Sequence, residues 1–303
     1  MKKFMKTFCL LFILVFLFPR TSYASSYDRK EAARYALEWY DGYNTSKYYD
    51  AGLDCTNFVS QCLEAGGFSR TSSVGDWSSL NQWRPHSGTW ENANLFSKYW
   101  SRFSSRYSYS IGRSSAYSIN KSLRDNLRKG DVVQYGYGSD EIKHSQIIHD
   151  FGLLWDDEKE YTYFMAQHTD GRAWISLYDY LKNTHYTYVV GLGLPNYINN
   201  VKAFDYLEEH YGNSYEDLPN VLKIFKQMSS REKFIVLINT IRALVSDFEN
   251  DKDMPVEIYN KNIDKHESLK LLLDDFDSLD IENLNDEEFV KFYNELRYRF
   301  ESI

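Results

Sequence analysis

Beyond its first two dozen positions, this sequence lacks an apolar run long enough to cross a bilayer, a HExxH pair and any excess of basic charge. The first absence excludes a bundle of membrane-spanning helices, each of which needs about 20 apolar residues. The second, together with the wide spacing of the cysteines, leaves zinc a weak option, because zinc sites favour cysteines two to four residues apart or histidines at helical spacing. The third argues against nucleic acid or an anionic membrane as partner. The formal charge is −8. Residues 201–303 carry 23 acidic and 13 basic side chains, whereas residues 25–200 are close to neutral. Cysteine is scarce as well, with three in 303 residues.

The amino terminus reads as a secretory leader. MKKFMK is basic, FCLLFILVFLF is an apolar run of eleven closed by Pro19, and Ser22-Tyr23-Ala24 supplies small residues for cleavage after Ala24. A retained anchor is the alternative, although the run is short for a membrane span. Cys9 has no lipobox context and leaves with residues 1–24. Lys2, Lys3, Lys6 and Arg20 leave with it and no acid does, so the charge falls from −8 to −12. The expected product is secreted, extracellular or wall-associated, and free of the membrane after cleavage.

Two cysteines remain, Cys55 and Cys62. Cys55, Phe58, Val59, Cys62 and Leu63 form a helical stripe between a capping Asp54 and a stopping Gly66-Gly67. Seven residues of helix rise about 10 Å, and a disulfide needs Cα atoms within about 7 Å, so both thiols are expected to be free. Cys55 falls in the first turn, where the helix dipole and free N–H groups favour a thiolate and can hold an oxyanion. The alternative is that Cys55 is a buried small hydrophobe.

A nucleophilic cysteine needs a base, and the base needs an orienting group. KHSQIIHDFG reads as a strand with His144, Gln146 and Ile148 on one face and His149 on the other. His144 is the candidate base, and His149 is expected to be solvated at the strand's exit. YTYFMAQHTD reads as a further strand ending in His168, whose ring can fix the tautomer of His144, with Gln167 and Asp170 as alternatives. His86, His185, His210 and His266 are read as surface or packing residues.

The run Asp54-Cys55-Thr56-Asn57-Phe58-Val59-Ser60-Gln61-Cys62-Leu63 with Gly66-Gly67 closely resembles the signature of the bacterial putative amidase domain family. Gly130-Asp131-Val132-Val133, His144-Ser145 and Ala166-Gln167-His168-Thr169 resemble its later blocks in order, and Ala32–Ala36 with Tyr43-Asn44 its opening helix and turn. The resemblance spans about residues 28–195. It implies an α+β, papain-like fold akin to the NlpC-type cell-wall endopeptidases, with Thr56-Asn57 standing where those have Ser-Gly. It implies Cys55 as nucleophile, His144 as base and His168 as orienting residue, with Tyr48 or Tyr49 near the oxyanion. The implied activity is cysteine-dependent hydrolysis of amide bonds in peptidoglycan-like wall peptides through an acyl-enzyme, with no metal or organic cofactor. A catalytically idle wall-binding scaffold and a partner-docking protein are the alternatives.

The expected organisation is a leader over 1–24, a catalytic domain over 25–200 built as a helix pair on a small antiparallel sheet, and an acidic all-α domain of four or five helices over 201–303. The aromatic stretch from Trp77 to Tyr117 closes the core or stacks on sugars. RAWISLYDYLKN (172–183) reads as a short helix, and Ser229 to Glu232 as a capping box. The acidic helices carry no motif with chemistry. Docking a protein partner and covering the catalytic cleft are the roles open to them.

Overall fold

Adjacent apolar residues recur along the central strands, and this decides the architecture. Val132 and Val133, Ile147 and Ile148, Ala166 and Met165, and Val190 and Val189 are all fully buried. Side chains alternate across a strand, so a sheet with such pairs must be covered on both faces. In the computed structural model, which describes residues 27–49, 54–112, 114–153, 161–168, 170–195, 228–277 and 284–303, this is what is found. The leader and the first two expected C-terminal helical stretches, FDYLEEHY and LPNVLKIFKQM up to Gln227, lie outside the described residues.

The sheet is antiparallel and six-stranded. Its strands are β1 (Ser105–Ser110), β2 (Val132–Gly138), β3 (Glu141–Leu153), β4 (Tyr161–Gln167), β5 (Arg172–Ser176) and β6 (Tyr188–Gly193), in the spatial order β1-β6-β2-β3-β4-β5. One face takes Val132, Ile147, Ala166 and Val190 into a core with α1 (Arg29–Trp39) and α2 (Cys55–Ala65). Short helices α3 (Gly88–Glu91) and α4 (Ala93–Trp100) complete that layer. Trp83, Trp90 and Trp100 are buried there and close the core, whereas Trp77 is half exposed.

The other face carries α5 (Ala116–Asn126), α6 (Leu177–Asn183) and three C-terminal helices, α7 (Ser230–Asn250), α8 (Val256–Asp277) and α9 (Asp286–Ser302). Val133, Ile148, Met165 and Val189 share one core with Leu237, Ile241, Leu269, Phe289 and Leu296. Of the acidic helices, α7 packs directly on β5, and α8 and α9 pack against α7. The capping box at Ser229 and Glu232 starts α7, and Asn285 and Glu288 form a second at α9.

The segment expected to be one helix over 172–183 divides at Ser176. Its first five residues form β5, paired with β4 through Met165 and Ile175. The outer edge of β5 is satisfied by α7, with Ser176 N–H donating to Thr240 Oγ1 at 2.9 Å and Asn239 Nδ2 donating to the Ala173 carbonyl at 2.9 Å. Tertiary partners outweigh local propensity here. Ser176 then caps α6 through the Asp179 N–H.

A buried ion pair ties the layers together at the opposite end. Arg29, at the start of α1, bonds Asp131, which also accepts from the N–H groups of Leu194 and Arg128 at 2.8 Å each. One carboxylate thus joins α1, the entry to β2 and the exit of β6.

Candidate active site

The cysteine helix forms as its stripe predicts. Phe58, Val59, Cys62 and Leu63 are fully buried, and Gly67 ends the helix with φ of 104°, a conformation that favours glycine. Both cysteines are free; Cys62 is buried, while Cys55 keeps partial access to the surface. Burial pushes the Cys62 thiol well up. Polar side chains on this helix anchor its surroundings. Asn57 Oδ1 accepts from the Trp90 indole at 2.7 Å, Ser60 Oγ donates to the Trp90 carbonyl at 2.9 Å, and Thr56 Oγ1 lies 2.9 Å from Ser145 Oγ.

That last contact brings consecutive residues at the start of α2, Cys55 and Thr56, against consecutive residues of β3, His144 and Ser145. Burial acts to raise the Cys55 thiol. The charge and hydrogen bond of His144, with help from the Thr56 hydroxyl and the Ser145 backbone, outweigh it and hold the thiol below the usual range. His144 shifts the opposite way. Burial opposes its protonation, but the carboxylate of Asp247, the Cys55 thiolate and the Gln167 carboxamide carry it up to about 9. The opposed shifts favour a thiolate beside an imidazolium.

The orientation of His144 comes from Gln167. His144 Nε2 lies 3.0 Å from Gln167 Oε1, which leaves Nδ1 for the thiol. Gln167 Oε1 also accepts from Gln146 Nε2 at 2.6 Å, and Gln146 Oε1 in turn accepts from Tyr135 at 2.9 Å. The Gln167 amide donates to Asp247 Oδ1 at 3.0 Å, and Asp247 Oδ2 accepts from Tyr180 at 2.6 Å and lies 3.7 Å from His144 Nε2.

His168, expected to orient His144, is engaged elsewhere. Its Nδ1 lies 3.1 Å from both oxygens of Asp54, its Nε2 lies 2.6 Å from the Trp39 carbonyl, and its ring stacks on Phe58. Being one residue past Gln167, it projects from the other side of the chain. It joins the end of α1 to the start of α2. Asp54 occupies the N-cap position, but its side chain makes no capping bond because it faces His168. The hydroxyls of Tyr48 and Tyr49 donate to Glu64 and Glu91, and Tyr49 stacks on His86 at 4.1 Å. His149, expected to be solvated, is buried; it accepts from the Trp174 N–H at 3.1 Å, and burial drives it down to about 3.

Asp247 escaped the sequence reading because α7 looked like an apolar helix with a charged outer face. A signal was present. Thr240, Asp247 and Asp251 recur at spacings of seven and four within KFIVLINTIRALVSDFEND, which places them on one helical face. That face meets the sheet: Thr240 bonds β5, Asp247 bonds β4, and Asp251 accepts from Tyr137 of β2 at 2.6 Å. Among the described residues no three His, Cys, Asp or Glu side chains are grouped as metal ligands would be.

Residues 26–191 match the family model described as a putative amidase domain. The chain is also 28% identical over 130 residues to the uncharacterized protein YhbB of Bacillus subtilis (strain 168), a match that covers 41% of this chain and 38% of that protein. No solved structure matches.

Proposed function

This chain belongs to the putative amidase domain family, and from that membership we propose that it is a cysteine-dependent amidase of cell-wall peptides, exported by its leader. The observation that carries the reading is the meeting of Cys55, first residue of α2, with His144 of β3, a contact that holds the thiol down and the imidazole up. The Cys55 thiolate attacks an amide carbonyl. The oxyanion gathers at the first-turn N–H groups of α2, where the Asp54 side chain makes no capping bond. His144 gives its proton to the leaving amine as the C–N bond breaks, leaving a thioester on Cys55. Water, deprotonated by His144, then attacks the thioester to release the carboxylic acid and restore the thiol. Gln167 holds the imidazole through Nε2 during both transfers.

Wall peptide as substrate rests on the resemblance to NlpC-type endopeptidases, as does the papain-like character of the fold. Export rests on the basic, apolar and small-residue pattern of residues 1–24. The test is digestion of purified peptidoglycan by the mature chain, with released fragments weighed by mass spectrometry. New amine and carboxyl ends that vanish in Cys55→Ala are expected. Equal cleavage by Cys55→Ala would overturn the mechanism, and intact wall with a hydrolysed simple amide would overturn the substrate.

A further inference from the structure

We propose that Asp247 of α7 is the carboxylate that positions His144, so that the C-terminal helices complete the catalytic centre rather than serve as a separable module. This rests on reading Cys55 and His144 as the reacting pair. The residue lies well beyond the 26–191 span of the family match.

Three observations carry it. The Asp247 side chain is 2% exposed, and a buried carboxylate is costly unless it is paired and hydrogen-bonded. Among the described residues, His144 is the cationic partner within ion-pair distance, at 3.7 Å. Finally, Gln167 bridges the two, accepting from His144 through Oε1 and donating to Asp247 through Nε2, so the imidazole and the carboxylate are fixed by one side chain. Tyr180, on α6, donates to the second oxygen. This geometry suits a ring that keeps its Nε2 proton while Nδ1 takes up and releases a proton.

The groups facing His144 are few. They are Cys55 from α2, Gln167 from β4 and Asp247 from α7, with the rings of Tyr135 and Tyr186 stacked at 6.2 and 6.3 Å. Burial and Asp247 raise both tyrosines well above their usual value, so they stay neutral. Asp251, with His185 at 3.3 Å, sits one turn further along the same helix face and acts on Tyr186 rather than on His144. Asp247, Cys55 and Gln167 therefore lift the imidazole, and the two charges among them can be removed one at a time.

The experiment is NMR titration of the His144 ring in the full chain, assigned by comparison with His144→Gln. In Cys55→Ala the thiolate is gone and Asp247 remains, so His144 is expected to titrate above its ordinary value near 6.5. Adding Asp247→Asn is expected to lower that titration by at least about one pH unit, as for a charge within a few ångströms. A companion readout is the alkaline limb of Cys55 alkylation by iodoacetate, an anion drawn to the imidazolium, which moves down in Asp247→Asn and is restored in Asp247→Glu. A purely structural role would lower the melting temperature and leave the limb in place. Should Asp247→Asn not fold, Cys55→Ala alone decides: titration at or below 6.5 there overturns the proposal. A chain that cleaves no amide, yet shows the drop in His144 titration on adding Asp247→Asn, refutes the amidase reading and upholds Asp247 as the carboxylate that positions His144.

Discussion

Gln167 Oε1 and His144 Nε2 stand 3.0 Å apart, and the same carboxamide donates to Asp247. Replacing Gln167 with Met keeps the volume and removes these two bonds together with the one from Gln146. A hydrogen bond to a charged group is worth about 1.5–3 kcal/mol, so kcat is expected to fall about tenfold to a hundredfold. KM should change little, because Gln167 acts through the imidazole. Steady-state kinetics on a chromogenic amide separate the two, and an unchanged kcat would remove Gln167 from the mechanism.

The two thiols predict opposite behaviour. Cys55→Ala should abolish turnover while leaving the melting temperature nearly unchanged. Cys62→Ala should retain turnover and cost about 1 kcal/mol of stability, as for a small truncation in a packed core. In native protein iodoacetamide should label Cys55 and reach Cys62 only in denaturant. Equal labelling of both thiols in the folded chain would contradict the burial of Cys62.

The pH profile follows from the opposed shifts. The reactive state has thiolate and imidazolium together, so kcat/KM should begin to rise below the usual thiol range and fall as His144 deprotonates near pH 9. A single rise near pH 8.5, with no alkaline limb, would mean an ordinary thiol.

His149 makes the fold acid-sensitive. Its folded value is depressed to about 3 while the unfolded ring titrates near 6.5, so the unfolded chain binds the extra proton between those values. Stability from this site is intact above about pH 6.5 and declines as pH falls toward 3. His149→Gln, which keeps an acceptor for the Trp174 N–H, should flatten the acid side of a plot of urea midpoint against pH. An unaltered slope would show that His149 is not the group responsible.

His168 is expected to matter for folding more than for chemistry. Its loss in His168→Ala strands the buried Asp54 carboxylate, a change that costs about 3–5 kcal/mol when one partner of a buried pair is removed. The melting temperature should fall sharply, and the NMR titration of His144 in the surviving folded fraction should stay put. A displaced His144 titration would show that the two rings are coupled.

The cysteine helix was legible because a helix-length stripe, a cap and a glycine stop agree with one another. The strands around His144 were legible for the same reason, through alternation and flanking glycines. Local pattern could not say which side of β4 would meet β3, so His168 was preferred to Gln167 although the two are adjacent. Gln167 also has no titratable group to draw attention to itself. β5 was hidden because its edge is satisfied by side chains more than sixty residues away. Asp247 was hidden because an acid in an acidic helix reads as a solvated face until the helix is seen to bury it.

The pairing of residues 167 and 247 also sets an order in time. During synthesis the chain appears from its amino end, and the face of the sheet bearing Val133, Tyr135, Ile148 and Met165 has part of its cover missing until residues 230–302 have emerged. Until then Cys55 and His144 can approach each other without the carboxylate that secures the charge. On the proposed reading the imidazolium is secured once α7 packs on the sheet, which sets full reactivity after residues 26–191 have emerged.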